Sequence, residues 1–269
     1  MVSSALYAHE ADSSADDVRK QLFSGESIIS PYRANYVLPA YYSDSPDQLV
    51  FEERNPSEEG IRYTEIKFQI SIKAHVAKWG PEYNDGLFVA YTQLSYWQAY
   101  ARSPYFRETN YEPEIFYGLR QSKKILGWDL DEFSAGYVHQ SNGAGGEWER
   151  SWNRLFVEEV LSRGNLYLDV RAWYSIERSL NENPDIENYL GYGRVVFGLL
   201  KGNHEITLKV RNLFESGFSQ GAEEINWEFP LYNGVHGLIQ IFSGYGQSLS
   251  EYNHYTNAIG IGVDLSRLF

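Results

Sequence analysis

Period-two alternation of apolar and polar residues runs through most of this chain and constrains its fold more than any other feature. Ile66, Phe68, Ile70 and Ile72 alternate with Lys67, Gln69, Ser71 and Lys73. Leu166, Leu168 and Val170 alternate with Tyr167, Asp169 and Arg171, and Ile225, Trp227 and Phe229 with Glu224, Asn226 and Glu228. The last such segment sets Ile259, Ile261, Val263 and Leu265 against Gly260, Gly262, Asp264 and Ser266. Successive side chains of a strand point to opposite faces, so each segment reads as a strand with one apolar and one polar face. Twelve are expected, at about 32–42, 65–78, 87–100, 107–120, 128–139, 151–162, 166–175, 189–200, 205–214, 222–231, 237–246 and 257–269. Residues 1–31 are polar and Ser/Asp-rich and are expected to form an extension outside the main fold, on the periplasmic side of a barrel spanning 32–269.

The polar faces are charged with both signs: Lys67, Asp169, Arg171, Lys209, Glu224 and Glu228 all fall on them. A soluble β-barrel or sandwich would turn such faces to water and the apolar ones to its core. A membrane barrel inverts this, with lipid against the apolar face and an internal salt-bridged network in the lumen. Three features favour the inverted arrangement. Each segment is near the 9–11 residues that a tilted strand needs to cross a bilayer. Connections alternate between tight (Arg163-Gly164-Asn165, Lys201–His204, Tyr232–His236) and long (43–64, 140–150, 176–188, 215–221, 247–256). The chain ends on Phe269, in register with the apolar face. Nowhere is there an apolar run of the ~18 residues that a transmembrane helix requires, and mean hydropathy is −0.45. A barrel tolerates that value, because only alternate residues meet lipid. The expectation is an all-β, twelve-stranded antiparallel transmembrane barrel.

Composition excludes some functions. There is no cysteine, so thiolate catalysis and sulfur-ligated zinc are ruled out. The net charge of −13 opposes nucleic-acid binding, which leaves a basic footprint. Gly217-Phe218-Ser219-Gln220-Gly221 matches G-x-S-x-G, but that elbow needs a helix after it, and here a strand follows. A more promising group lies in Tyr137-Val138-His139-Gln140-Ser141-Asn142-Gly143 and Arg150-Ser151-Trp152-Asn153-Arg154. His139 and Ser141, two apart, share the apolar face. Asn153 opens the next strand and can reach His139, so that its amide oxygen would orient the imidazole for a serine nucleophile. The same residues would also suit polar loop ends at a membrane interface.

These two segments resemble the signature of the outer membrane phospholipase A family. Phe106-Arg107-Glu108-Thr109-Asn110-Tyr111-Glu112-Pro113, Asn183-Pro184-Asp185-Ile186 and Ser243-Gly244-Tyr245-Gly246 resemble it too, over roughly Tyr36 to Phe269. The resemblance implies a twelve-stranded barrel in the outer membrane of a Gram-negative bacterium and calcium-dependent hydrolysis of phospholipid acyl esters (phospholipase A1/A2 and lysophospholipase) by an active homodimer. It assigns Ser141 as nucleophile, His139 as base and Asn153 as orienting residue, with backbone N–H groups of Ser141 and Gly143 as oxyanion donors. Calcium ligands are implied at Ala144 (a carbonyl), Glu149, Ser103 from the partner subunit, and Glu182. Glu149 stands where the family commonly carries a serine hydroxyl. Gln93, on an apolar strand face, matches a glutamine of the family's subunit interface, and an unpaired amide there should seek a partner across the dimer. The competing reading is a non-catalytic barrel, a narrow porin or scaffold, or else a soluble lipid-binding barrel.

Overall fold

The computed structural model describes residues 29–52, 55, 59–79, 85–177, 183–213, 215–232 and 234–266. Most of the N-terminal extension, Glu182 and the terminal Phe269 lie outside the described residues.

Twelve antiparallel strands close into a barrel. Strand β1 comes in two pieces, Ile29–Pro31 and Tyr36–Ser43, both paired with β2 (Thr64–Trp79). There follow β3 (Asp85–Trp97), β4 (Phe106–Ile125), β5 (Trp128–Ser141) and β6 (Ser151–Arg163). The second half comprises β7 (Leu166–Glu177), β8 (Gly193–Lys201), β9 (His204–Arg211), β10 (Ala222–Pro230), β11 (His236–Tyr245) and β12 (Tyr255–Asp264). Each strand pairs with its chain neighbours, and β12 pairs with β1, so no edge is left unpaired. Two-residue turns at Leu126-Gly127, Gly164-Asn165 and Gly202-Asn203 gather at one end, and the longer loops at the other.

The polarity is inverted as expected. Ile70 is 50% exposed, Phe197 50% and Ile261 55%, whereas Glu114 is 4% exposed and Asp169 0%. Inside, Arg194 bridges Asp169 at 3.1 Å and Glu158 at 2.6 Å, Arg171 reaches Glu114 and Glu158, and Arg33 joins Glu112 and Glu114. Near the long-loop end the fully buried Arg107 bridges Glu65 and Glu251, each at 2.7 Å. Aromatic rings including Tyr32, Phe116, Phe156 and Trp173 pack between these charges. A cavity of about 260 Å³ remains among them. Buried charges are tolerated where they are paired and hydrogen-bonded, and pairing across the lumen ties distant strands together.

The structure departs from the sequence reading at four places. The first strand is interrupted over 32–35, where Tyr32 turns inward and donates to Glu114 Oε2 at 3.2 Å. Asn35 fills the gap in the ladder, accepting from Ser71 N–H at 2.7 Å and donating to Ser71 O at 3.0 Å. Among the described residues the wall therefore reaches back to Ile29, ahead of the expected start at 32. Residues 121–125, left between the expected strands 107–120 and 128–139, continue β4 to Ile125. Residues 186–190 form a short helix, so that β8 begins at Gly193 instead of 189. The last strand ends at Asp264.

Candidate active site

Alternation on β5 turns Tyr137, His139 and Ser141 outward, while Val138 is buried in the lumen. The β5–β6 register pairs His139 with Asn153 and Ser141 with Ser151. His139 Nδ1 lies 2.8 Å from Asn153 Oδ1. An amide oxygen only accepts, so the Nδ1 facing it carries a proton, and in the neutral imidazole Nε2 is then the nitrogen with the lone pair. Ser141 Oγ accepts from the Gly143 N–H at 3.0 Å and makes no hydrogen bond to His139. Such contacts are often long until substrate is bound. The three side chains thus share one outward patch, with the hydroxyl already beside a backbone donor.

Gly143 is required there on two counts. Its φ is +66°, and a Cβ would stand 2.7 Å from the Tyr111 ring. Asn142, one residue after the serine, points into the barrel and is nearly fully buried. All of its amide capacity is used to hold the loop 142–150. Oδ1 accepts from Ala144 N–H at 3.1 Å and Arg150 N–H at 3.0 Å, and Nδ2 donates to Trp148 O at 2.8 Å and Ser250 Oγ at 3.0 Å. Ser250 belongs to the long loop 246–254 and is fixed on Glu108 of β4, its hydroxyl 2.9 Å from both carboxylate oxygens. In the same loop Glu251 accepts from Arg107, Ser248 Oγ and Asp47 N–H. Burial opposes its charge, but Arg107 outweighs this and holds the carboxyl below the ordinary glutamate range. Burial pushes the neighbouring Tyr252 phenol up, reinforced by the Asp185 carboxylate to which it donates at 2.6 Å.

The residues singled out as calcium ligands lie at this same end. Ala144 is half-buried. Glu149, also half-buried, closes the single 3-10 turn Gly146–Trp148 through its N–H to Gly146 O at 3.2 Å. Ser103 is exposed in the loop 98–105. The main-chain carbonyls of Glu147 and Glu149 already receive Arg150 Nη1, at 3.0 and 2.7 Å. Among the described residues no three His, Asp or Glu side chains cluster to hold a metal. Gln93 faces outward between Ile70 and Tyr111, as expected. Its amide is not unpaired, however. Tyr91 donates to its Oε1 at 3.0 Å, and its Nε2 donates to Ser95 Oγ at 3.1 Å, because residues two apart on one strand share a face. The G-x-S-x-G segment is a turn, with Gly217 at φ +63° and Phe218 at φ +65°; β10 follows directly at Ala222, so no elbow forms.

Two residues in this patch carried no role in the sequence reading. Asn142 had a legible signal, the Asn-Gly pair that marks a turn. Tyr137 stood in the signature segment and shares parity with His139 but was given no role, yet its hydroxyl donates to Asn153 Oδ1 at 2.6 Å.

The family model of phospholipase A1 matches residues 14–265. The phospholipase A1 of Klebsiella pneumoniae is 35% identical over 244 residues, covering 90% of this chain and 84% of that protein. The Salmonella typhimurium phospholipase A1 is 36% identical over 246 residues, covering 90% and 82%. Among solved structures, the outer membrane phospholipase A from Escherichia coli superposes with a TM-score of 0.82 at 32% identity, covering 90% of this chain and all of that one. A Salmonella typhi outer membrane phospholipase dimer with bound calcium gives 0.82 at 31%, covering 91% and 95%. Sequence and architecture agree over nine-tenths of the chain, which is an outer-membrane β-barrel esterase belonging to the phospholipase A1 family.

Proposed function

We propose that this barrel hydrolyses acyl esters of membrane phospholipids with a Ser141–His139–Asn153 triad on its outer wall. The observation that carries the reading is the 2.8 Å contact between His139 Nδ1 and Asn153 Oδ1, on the same outward face as the Ser141 hydroxyl. A polar constellation on a lipid-facing wall is costly unless its substrate is there. His139 Nε2 takes the proton of Ser141 as Oγ attacks the acyl carbonyl, and returns it to the leaving alcohol; water then cleaves the acyl-enzyme by the same route. The N–H groups of Ser141 and Gly143 are the oxyanion donors, worth roughly 10²–10³ in kcat each in comparable sites. The short-turn end, where Ile29 and Asp264 lie, is assigned to the periplasm, and the residues before Ile29 to an extension on that side.

Calcium and dimerisation belong to the same proposal. Ala144 offers a carbonyl, Glu149 a carboxylate and Ser103 a hydroxyl, all oxygen donors suited to a hard dication that takes 6–8 such ligands. They are right in kind and too few within one chain, which is why the site is proposed across a dimer, with Ser103 of the partner subunit and Glu182 completing it and Gln93 in the interface. The Salmonella typhi dimer with bound calcium supports this. When bound, the ion would add positive charge near the developing oxyanion. Ser141→Ala and His139→Ala are expected to abolish hydrolysis of a phospholipid analogue in micelles while the heat-modifiable folded barrel persists, and Asn153→Ala to leave partial activity. Wild-type turnover by Ser141→Ala would overturn the mechanism.

A further inference from the structure

The triad reading leaves unused a hydroxyl that touches the triad itself. Tyr137 lies two residues before His139 on β5 and therefore on the same face. Its register partner on β6 is Leu155, and Asn153 is the diagonal neighbour two residues along, within reach of an aromatic side chain. Its hydroxyl stands 2.6 Å from Asn153 Oδ1, the atom that also faces His139 Nδ1. One amide oxygen thus receives two donors.

The chemistry of an amide makes this arrangement consequential. A carboxylate in the orienting position presents an oxygen whichever way it turns. An amide has one acceptor end and one donor end. The terminal torsion of asparagine is soft and roughly two-fold, so the side chain itself hardly chooses between them. With oxygen toward the imidazole, the proton sits on Nδ1 and Nε2 is the base. With nitrogen toward it, Nδ1 must accept, the proton moves to Nε2, and no lone pair is left for the Ser141 hydroxyl. The 2.6 Å separation matches an O–H···O bond, which is shorter than the usual N–H···O. In the reversed orientation the phenolic hydrogen would lose this short bond to a part-buried protein acceptor. The phenol therefore biases the amide toward the orientation that leaves Nε2 basic.

We infer that Tyr137 is a positioning residue of this site: its hydroxyl holds the Asn153 amide with oxygen toward His139, and so selects the imidazole tautomer that can take a proton from Ser141. This rests on the triad proposed above. The proton path does not change, and Tyr137 neither gains nor loses a proton in the reaction.

The test uses the full chain in detergent micelles and two readouts. The first is the tautomer of His139, from the nitrogen chemical shifts of its ring in ¹⁵N-labelled protein. The expected result is protonation at Nδ1 in the wild type and a mixture of tautomers in Tyr137→Phe. A single Nδ1–H tautomer in both would overturn the inference, whatever the activity. This readout does not depend on whether Ser141 is the nucleophile, so the two ideas fail separately. The second readout is kinetic. Tyr137→Phe is expected to lower kcat about tenfold at unchanged KM, the size of one hydrogen bond lost from a catalytic arrangement. In an Asn153→Asp background, where both ends of the side chain are oxygen, the same substitution should lower whatever activity remains less than about twofold. Equal losses in the two backgrounds would mean that the ring acts through packing and would overturn the inference.

Discussion

Asn142→Ala is expected to impair catalysis while leaving the barrel intact. The alanine removes four hydrogen bonds at once: two accepted by Oδ1 from Ala144 and Arg150, and two donated by Nδ2 to Trp148 O and Ser250 Oγ. Each contributes about 1 kcal/mol net. The main-chain groups of Ala144, Trp148 and Arg150 belong to half-buried residues, so water recovers part of the loss. The Ser250 hydroxyl is buried but keeps its contacts to Glu108. About 2 kcal/mol of loop ordering is therefore lost. None of it belongs to a strand ladder, so thermal unfolding of the barrel should move little. The loop carries Gly143, whose N–H faces the Ser141 hydroxyl at 3.0 Å. If that donor must be ordered for the transition state, 2 kcal/mol corresponds to about thirtyfold in kcat. Asn142→Asp keeps both acceptor contacts and loses both donors, and should fall between wild type and alanine. Ser250→Ala removes the contact to Asn142 and, with it, the hydroxyl's contacts to the buried Glu108, and should cost at least about fivefold. The assay is initial-rate hydrolysis of a micellar phospholipid analogue, with kcat and KM resolved. A wild-type kcat for Asn142→Ala, or a loss confined to KM, would refute the reasoning.

Two further outcomes are expected. Glu251→Gln should lower the melting temperature in detergent at pH 7 by the equivalent of about 2 kcal/mol, less than the 3–5 of a fully broken buried pair because Arg107 retains Glu65. The Glu251 carboxyl is held below its ordinary value by Arg107, so its contribution is present above the unfolded pKa of about 4.3 and fades as pH falls through the lower folded value. The melting temperature of Glu251→Gln should accordingly fall less steeply below pH 4 than that of the wild type, and parallel acid limbs would contradict the assignment. At the proposed calcium site, Glu149→Gln should weaken calcium-dependent activation and raise calcium-free dimerisation, because it removes a carboxylate that is a ligand with the ion and a like charge without it. Calcium titrations of activity together with crosslinking decide this; identical midpoints for wild type, Glu149→Gln and Glu149→Ser would make Glu149 a solvated loop residue.

What was legible in the sequence was what period two encodes. It separated Ile70 and Ile261 on the lipid face from Glu114 and Asp169 in the lumen, and it turned His139, Ser141 and Asn153 to the same side. It failed where the backbone leaves that period for tertiary reasons. Leu126 and Gly127 form a two-residue hairpin with φ of +53° and +83°, geometry that Asn-Gly or Asp-Gly normally signals. A leucine there gave no warning, and the strand end was read as loop. Tyr32 and Arg33 look like strand residues and leave the ladder only because Glu112 and Glu114 wait inside. The helix Ile186–Leu190 is too short for a helical period to emerge. At the site, Gln93 looked unpaired because sequence shows parity without showing that Tyr91 and Ser95 share its face closely enough to bond. Tyr137 was hidden because tyrosine is ordinary in the aromatic girdles of such barrels.

The same alternation explains how a site can be built on the wrong side of a barrel. A serine, a histidine and an asparagine facing hydrocarbon have no packed protein above them to fix their positions. Rigidity must come from the wall or from behind it. Laterally, the β5–β6 register sets His139 against Asn153. From behind, Asn142 is one residue from Ser141 and so on the opposite face, where it binds Ser250 and, through it, Glu108. Beside that contact Arg107 and Glu251 fix the same loop 246–254 to the wall. The charged lumen therefore serves as the foundation of an exterior site. Replacing Arg107 and its carboxylates by apolar residues of similar volume could leave the barrel as stable, since buried ion pairs are often exchangeable for hydrophobic packing. It would also remove one tie of loop 246–254, leaving Ser250 on Glu108 and Tyr252 on Asp185, and so loosen the residue that holds Asn142 behind Ser141.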